Sequence, residues 1–364
     1  MLFPQRPDDI TPALLNALAA KQHRGVTVEN VEIVDVKDSG STAASSSALV
    51  TIKVDYAGTG HGLPENLLIK TTQSDSSLWY SNLRALYVNE LDFYSKLRPE
   101  LHFEAPVSLG GAMREDGLYV LAIEDVRKRG AKFHTVLTDD VTAEHAFNVL
   151  DTLARLHARY WDTPRFKSDL CWLQTHVGGE LETFLRQQTS QSNELKISRY
   201  KRELLSILKL TEAQLHTYSI AVNEHQSSQP NTIVHGDPHL GNIYFLPDRK
   251  AGLVDFQCVV KGHAAHDLGY FINVALPVEV RRREERHLLD FYREKLIEYG
   301  VRNAPDRDTL WLEYRRALIW GIYPAWLPVP AENYGMEHTA VVLLRLVAAF
   351  QDHEGVKLLE ELVA

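Results

Sequence analysis

Ile233-Val-His-Gly-Asp-Pro-His-Leu-Gly-Asn242-Ile-Tyr-Phe245, followed by Gly252-Leu-Val-Asp255-Phe-Gln257, is the stretch from which the fold of this chain is read. Asp237 and Asn242 lie on a loop between short apolar runs, Thr232–Val234 and Asn242–Leu246, which read as strands. A turn, Pro247–Gly252, leads into a third short strand that ends at Asp255. A hairpin of this kind brings Asn242 and Asp255 side by side. Two hard oxygen donors next to a third carboxylate suit Mg²⁺, which keeps waters and takes other ligands from phosphates. Asp, Asn and Gly also favour plain turns, so no single residue here is informative. The whole string with its flanking strands is.

The remaining sequence bounds the reading. The chain has 364 residues, 45% hydrophobic and 24% charged, the mix of an ordinary globular protein with room for two packed units. Acidic residues outnumber basic ones, 48 to 39, for a net charge of −9. A nucleic-acid-binding surface is not expected from that balance. Nor is a membrane span, since no run approaches the roughly 20 apolar residues it needs. Cys171 and Cys258 are the only cysteines, too few for a disulfide framework, which points to a reducing, cytoplasmic setting. Sixteen histidines are scattered and HExxH is absent, so a hydrolytic metal cluster is not expected. Arg281-Arg-Arg283 is flanked by Glu279, Glu284 and Glu285 and reads as a solvated helix face.

Alternating, β-branched runs at Val28–Val36 and Ala48–Tyr56 flank a serine-rich loop, Asp38–Ser47, and predict a hairpin. Further strands are expected at Asn66–Thr71, Val107–Gly110 and Leu118–Ile123, with a helix at Ser77–Leu97 between them. After Asp125 helical periodicity dominates: Thr142–Trp161 with Thr142 as N-cap, then Gly178–Gln188, Ile197–Asn223, Val278–Tyr299, Asp308–Trp320 and His338–Gln351.

Asp237 precedes Asn242 by five positions, the spacing of a kinase catalytic loop, and Asp255-Phe256 falls where the second metal-binding Asp is required. HGDPHLGN followed by DFQ resembles the aminoglycoside phosphotransferase and choline kinase superfamily, most closely its ecdysteroid-kinase-like branch. The resemblance implies an α+β, bilobal protein-kinase-like fold. Residues 1–125 would form an antiparallel-sheet, nucleotide-binding lobe with one main helix. Residues 126–364 would form a larger, mostly helical, catalytic and substrate-binding lobe.

The resemblance also implies roles. Asp237 would be the catalytic residue, and Asn242 and Asp255 would hold Mg²⁺. Lys70, in Leu67-Leu-Ile-Lys70, would meet the ATP phosphates. Glu90 would pair with it: its neighbours Leu86, Phe93, Tyr94 and Leu97 put Glu90 on an apolar helix face, where an unpaired charge is costly. A solvated lysine and a rim glutamate are the plainer alternatives. Leu121-Ala-Ile-Glu124-Asp125-Val126 resembles the adenine-binding connection, with Ile123 and Val126 as apolar walls and Glu124 acting through its backbone. GxGxxG is absent, and only Ser39, Gly40 and Ser41 stand in the first hairpin as phosphate contacts. His157, His235 and Asp267 match supporting positions around the catalytic loop.

The implied activity is ATP-dependent phosphorylation of a hydroxyl on a small molecule, with ATP and Mg²⁺ as cofactors. Expected partners are a hydroxylated small molecule, no nucleic acid and no membrane, with the chain a monomer or homodimer. GTP stays open as the donor. The rival readings are a nucleotide-binding pseudokinase without transfer, and a kinase for protein substrates, against which stands the lack of an APE-type segment after Asp255. Trp311, Tyr314, Trp320, Tyr323, Trp326 and Tyr334 are candidate walls for the acceptor as well as candidate core.

Overall fold

The structure is a computed structural model that describes residues 3–4, 6–37, 48–58, 60–72, 77–115, 117–183, 199–327 and 334–364. The chain divides into two compact units. One comprises Met1–Leu101 and Ala105–Lys132, the other His102–Glu104 and Phe133–Ala364.

The first unit is an antiparallel five-stranded sheet built from β1 (Val28–Lys37), β2 (Ala48–Tyr56), β3 (Asn66–Thr71), β4 (Ser108–Met113) and β5 (Tyr119–Glu124), in the order β1-β2-β3-β5-β4. Alternation along the strands decides what each face buries. Val50, Ile52 and Val54 of β2 join Leu67 and Ile69 of β3 and Val120 and Ala122 of β5 in one apolar layer. Helix α1 (Pro12–Ala19), capped by Thr11, covers that layer with Leu14, Leu15 and Leu18. It sits so close that a Cβ on Gly110 would lie 2.5 Å from the Leu18 carbonyl oxygen, and Gly110 has φ +148. A side chain there would lift the helix off the sheet. Lys70 stands one position past Ile69 and so belongs to the opposite face. Helix α2 (Ser77–Asp92) continues into a wider turn, Phe93–Leu97, in which Phe93, Tyr94 and Leu97 are buried.

The second unit is mostly helical: α3 (Ala143–Tyr160), α4 (Arg199–Leu208), α5 (Glu212–Ser227), α6 (Ala265–Ala275), α7 (Val278–Glu298), α8 (Arg307–Trp320), α9 (Met336–Asp352) and α10 (Gly355–Val363). Thr142 caps α3 by accepting from the His145 N–H, and the His145 ring returns a bond to the Thr142 N–H. Every residue of α6 is buried, so it has no polar face for periodicity to detect. Short antiparallel strand pairs are set among the helices. β6 (Thr232–Val234) pairs antiparallel with β9 (Val260–Gly262), and β7 (Ile243–Phe245) pairs with β8 (Ala251–Leu253).

Two expectations are corrected. The single helix expected over Ile197–Asn223 is broken into α4 and α5. Lys209 takes a left-handed conformation (φ 56), and Thr211 starts a new helix through a capping box with Gln214. Arg281 is not on a solvated face. Its side chain is only 2% exposed and is paired with Glu285 (3.2 Å) and Asp352. The basic run is split by helical rotation, with Arg282 and Arg283 facing outward. The helix expected at Gly178–Gln188 lies partly outside the described residues. Among the described residues no helix is long and apolar enough to cross a membrane.

Candidate active site

In the first unit, the Lys70 ammonium donates to both oxygens of Glu90, at 2.6 and 2.8 Å. Glu90 is fully buried (0% exposed) on α2. Its second oxygen also accepts from the Tyr119 hydroxyl at 2.6 Å, and the Tyr119 ring stacks on Tyr87 with centroids 4.5 Å apart. A buried carboxylate is tolerable only when its lone pairs are filled in this way. The arrangement holds the lysine Nζ at a defined point above β3.

At the end of β5, Ile123 and Val126 are both buried. The neighbouring acids are engaged within their own unit. Glu124 pairs with Arg129 (2.6 Å) and accepts from the Val107 N–H. Asp125 caps the turn Val126–Arg129 and pairs with Arg127 at 2.7 Å. Both carboxylates are thus already partnered. Ser39, Gly40 and Ser41 lie outside the described residues.

In the second unit, the loop between β6 and β7 is braced from beneath by Asp267 on α6. Its carboxylate accepts the backbone N–H groups of His235 (2.7 Å) and Gly236 (2.9 Å), and His157 Nε2 at 3.1 Å. Burial by itself would push this carboxyl up. The hydrogen bond from His157 and the nearness of His157, His266 and His235 outweigh it and hold it at about 2. His157 is fixed in turn by the Tyr292 hydroxyl at 2.8 Å, and its carbonyl accepts from Thr232 at 2.6 Å. His235 accepts the Asp237 N–H on Nδ1 and reaches the Val254 carbonyl from Nε2 at 2.9 Å. It thereby ties the loop to the strand before Asp255. Gly236, at φ +85, admits no side chain: a Cβ would lie 2.1 Å from the Cys258 carbonyl oxygen.

Asp237 projects from this braced loop with about a third of its side chain exposed (33%). The Asn242 amide donates to the Asp237 main-chain oxygen (2.9 Å) and to its carboxylate (3.2 Å). Both amide hydrogens are thus used, and Oδ1 is the oxygen that Asn242 has left to give a ligand. The Val254 N–H bonds the Asn242 carbonyl at 2.9 Å, which carries Asp255 to the same place. Asp255 is left-handed (φ 63), a conformation that Asp tolerates better than most residues. Burial pushes the Asp237 carboxyl up to about 7; His235 opposes the rise and Asp255 adds to it. An amide oxygen and a carboxylate beside a second carboxylate form a hard-oxygen donor set that fits Mg²⁺.

Several residues at this site were not singled out by spacing. The Tyr270 hydroxyl, on α6, accepts from the Trp326 indole at 2.9 Å. Trp326 packs on Tyr334 (5.0 Å), His338 (5.7 Å) and His239 (6.2 Å). Burial and the carboxylates of Asp237 and Asp255 raise the Tyr334 hydroxyl above its usual range, which puts that ring near both acids. The aromatics of the C-terminal half therefore divide. Trp326 and Tyr334 pack with His239, two residues past Asp237, whereas Trp311 and Tyr314 pack around His353, Trp320 on His176 and His266, and Tyr323 on His216. Aromatic crowding after Trp311 was the available signal, but it does not say which rings reach the loop.

A search of curated protein sequences returns no match. Among solved structures, an ethanolamine kinase from Plasmodium vivax is similar at 14% identity, with 90% of this chain and 83% of that chain covered and a TM-score of 0.52. A spectinomycin phosphotransferase in complex with ADP and spectinomycin is similar at 13% identity, covering 93% of this chain and 96% of that one at a TM-score of 0.47. An aminoglycoside phosphotransferase from Ralstonia eutropha, so described provisionally, shares 12% identity over 92% of this chain and 98% of that one, at a TM-score of 0.46. The likeness to the ethanolamine kinase is one of fold: an antiparallel-sheet unit followed by a helical unit. The model of the ecdysteroid kinase-like family matches residues 42–302, well over half of the chain. The protein belongs to the ecdysteroid kinase-like family.

Proposed function

We propose that this protein is a phosphotransferase that moves the γ-phosphate of ATP to a hydroxyl group of a small molecule, with Mg²⁺ as cofactor. The observation that carries the reading is the Asp237–Asn242 hydrogen bond on a loop whose next strand delivers Asp255. Asp237 orients the acceptor hydroxyl and takes its proton. Asn242 Oδ1 and Asp255 hold the metal, which when bound neutralises phosphate charge. Lys70, fixed by Glu90 and Tyr119, meets the α- and β-phosphates. Ile123 and Val126 flank the adenine, and backbone groups around Glu124 read its edge. The chain's contribution is placement and charge, with no covalent intermediate required.

The test is a thermal-shift screen with Mg·ATP and Mg·GTP, followed by γ-phosphate transfer to a panel holding an amino alcohol (ethanolamine), spectinomycin and polyhydroxylated sterols. Mg·ATP should raise the melting temperature, and one panel class should become labelled. Asp237→Asn should keep the Mg·ATP shift and lose at least about a hundredfold in kcat. A chain that responds to neither nucleotide, or an Asp237→Asn variant with intact turnover, refutes the proposal.

A further inference from the structure

Where β5 ends, the main chain of Glu124, Asp125 and Val126 can be accounted for group by group within the first unit. The Asp125 N–H donates to the Asn66 carbonyl (2.9 Å), and the Asp125 carbonyl accepts from the Lys128 N–H (3.1 Å). The Val126 carbonyl accepts from the Ala131 N–H at 3.4 Å, and the Glu124 N–H donates to the Val107 carbonyl at 2.7 Å. Two groups remain without a main-chain partner among the described residues: the Glu124 carbonyl and the Val126 N–H. Val126 opens the turn Val126–Arg129, and the first N–H of a helical turn has no partner inside it. The Asp125 carboxylate caps the next N–H, that of Arg127, at 3.2 Å.

The Glu124 carbonyl is open for a different reason. Leu67 faces Glu124 in the sheet, and the bond from Asp125 to Asn66 means that Glu124 turns its own main-chain groups away from β3, towards Val107. Two facing residues of an antiparallel pair normally exchange both bonds. Here Glu124 gives its N–H to Val107, but the Val107 N–H goes to the Glu124 carboxylate at 3.2 Å. The side chain has taken the place of its own main-chain oxygen. Arg129 holds it there, with Nε 2.6 Å from the other carboxylate oxygen, and the Glu124 side chain is only 11% exposed.

We propose that Glu124 is a positioning residue for the nucleotide base: by binding the Val107 N–H it keeps its own carbonyl open, and that carbonyl with the Val126 N–H selects ATP over GTP. This rests on the function proposed above. An acceptor and a donor two residues apart lie on one edge of an extended chain. Adenine matches them with an N6 hydrogen to donate and the N1 lone pair to accept. Guanine in the same pose presents O6 and N1–H, so acceptor meets acceptor and donor meets donor, a mismatch that leaves polar groups unpaired.

Isothermal titration of the full chain with Mg·ATP and Mg·GTP tests this without an acceptor. The parent should bind Mg·ATP at least about tenfold more tightly than Mg·GTP. In Glu124→Ala the Val107 N–H can turn to the carbonyl, and Mg·ATP affinity should fall about tenfold while Mg·GTP affinity changes by no more than about twofold. Glu124→Asp keeps the charge but is one methylene too short, and should behave like Glu124→Ala. Glu124→Gln still offers an oxygen to Val107 and should stay within about threefold of the parent for both nucleotides. Equal losses for the two nucleotides in Glu124→Ala and Glu124→Asp, or a Glu124→Gln variant no better than Glu124→Ala, would mean a purely structural role and overturn the proposal. Should Glu124→Ala fail to fold, Glu124→Asp and Glu124→Gln decide. A parent that transfers phosphate but binds both nucleotides alike, or prefers Mg·GTP, refutes this inference alone. A parent that binds neither refutes the proposed function as well.

Discussion

The Asp267 carboxylate and His157 Nε2 lie 3.1 Å apart with neither side chain exposed. This contact sits under the loop that carries Asp237, and it ties the stability of the helical unit to pH. The folded carboxyl is held at about 2, against roughly 3.9 in an unfolded chain. A depressed carboxyl stabilises the fold fully above the unfolded value, and the contribution disappears as pH falls from about 4 through 2. On the order of 2 kcal/mol rests on this residue. Urea unfolding at a series of pH values should show Asp267→Asn less stable than the parent near neutrality and the gap narrowing below pH 4. A gap that stays constant with pH would contradict the account.

Glu90 is a second place where charge is balanced inside the protein. Glu90→Ala strands the Lys70 ammonium on a covered face and should cost about 3 kcal/mol, whereas Lys70→Met combined with Glu90→Leu should cost less than the single change. Tyr119→Phe removes one short bond to a carboxylate and should cost about 1.5 kcal/mol. Equilibrium denaturation of the three variants ranks them. A double variant weaker than Glu90→Ala would argue against a buried, mutually dependent pair.

Gly236 has no room for a methyl group, and its φ of +85 is strained for any side chain. Gly236→Ala must move the Cys258 backbone or the loop, with a loss on the order of 3 kcal/mol. Differential scanning calorimetry should record a clear drop in Tm for this variant. The drop for Gly300→Ala should be smaller, from backbone strain alone, since a Cβ there meets nothing within 4 Å.

Arg281 and Arg282 are adjacent in sequence and should differ sharply in effect. Arg281→Met leaves Glu285 and Asp352 with a partner removed from the interior and should cost about 2–4 kcal/mol. Arg282 is 47% exposed, and Arg282→Met should change stability by no more than about 0.5–1 kcal/mol. Equal effects in thermal melts would mean that burial at this corner is not what separates them.

Much of the site is written along the chain because it is local. The five-residue interval from Asp237 to Asn242 suffices for the amide to reach back to the carboxylate, and a tight hairpin carries Asp255 round. Two-residue alternation in β3 separates Lys70 from Leu67 and Ile69, and helical spacing turns Glu90 inward with Phe93 and Leu97. Other features were not legible. α6 is buried all round and shows no amphipathic period. Lys209 breaks a helix whose residue types would continue it. Arg281 looks like its exposed neighbours until α9 brings Asp352 against it.

The chain by itself determined the strand–loop–strand carrying Asp237, Asn242 and Asp255, the alternation behind Lys70 and the helical face of Glu90, because each depends on spacings of two to five residues or on one short turn. Tertiary structure alone decided that Asp267 and His266 hold that loop from α6, that Trp326 donates to Tyr270, and that Arg281 is interior. Those contacts join residues about 30 to 70 positions apart, and which distant groups meet is set by how whole helices pack, which no local pattern records.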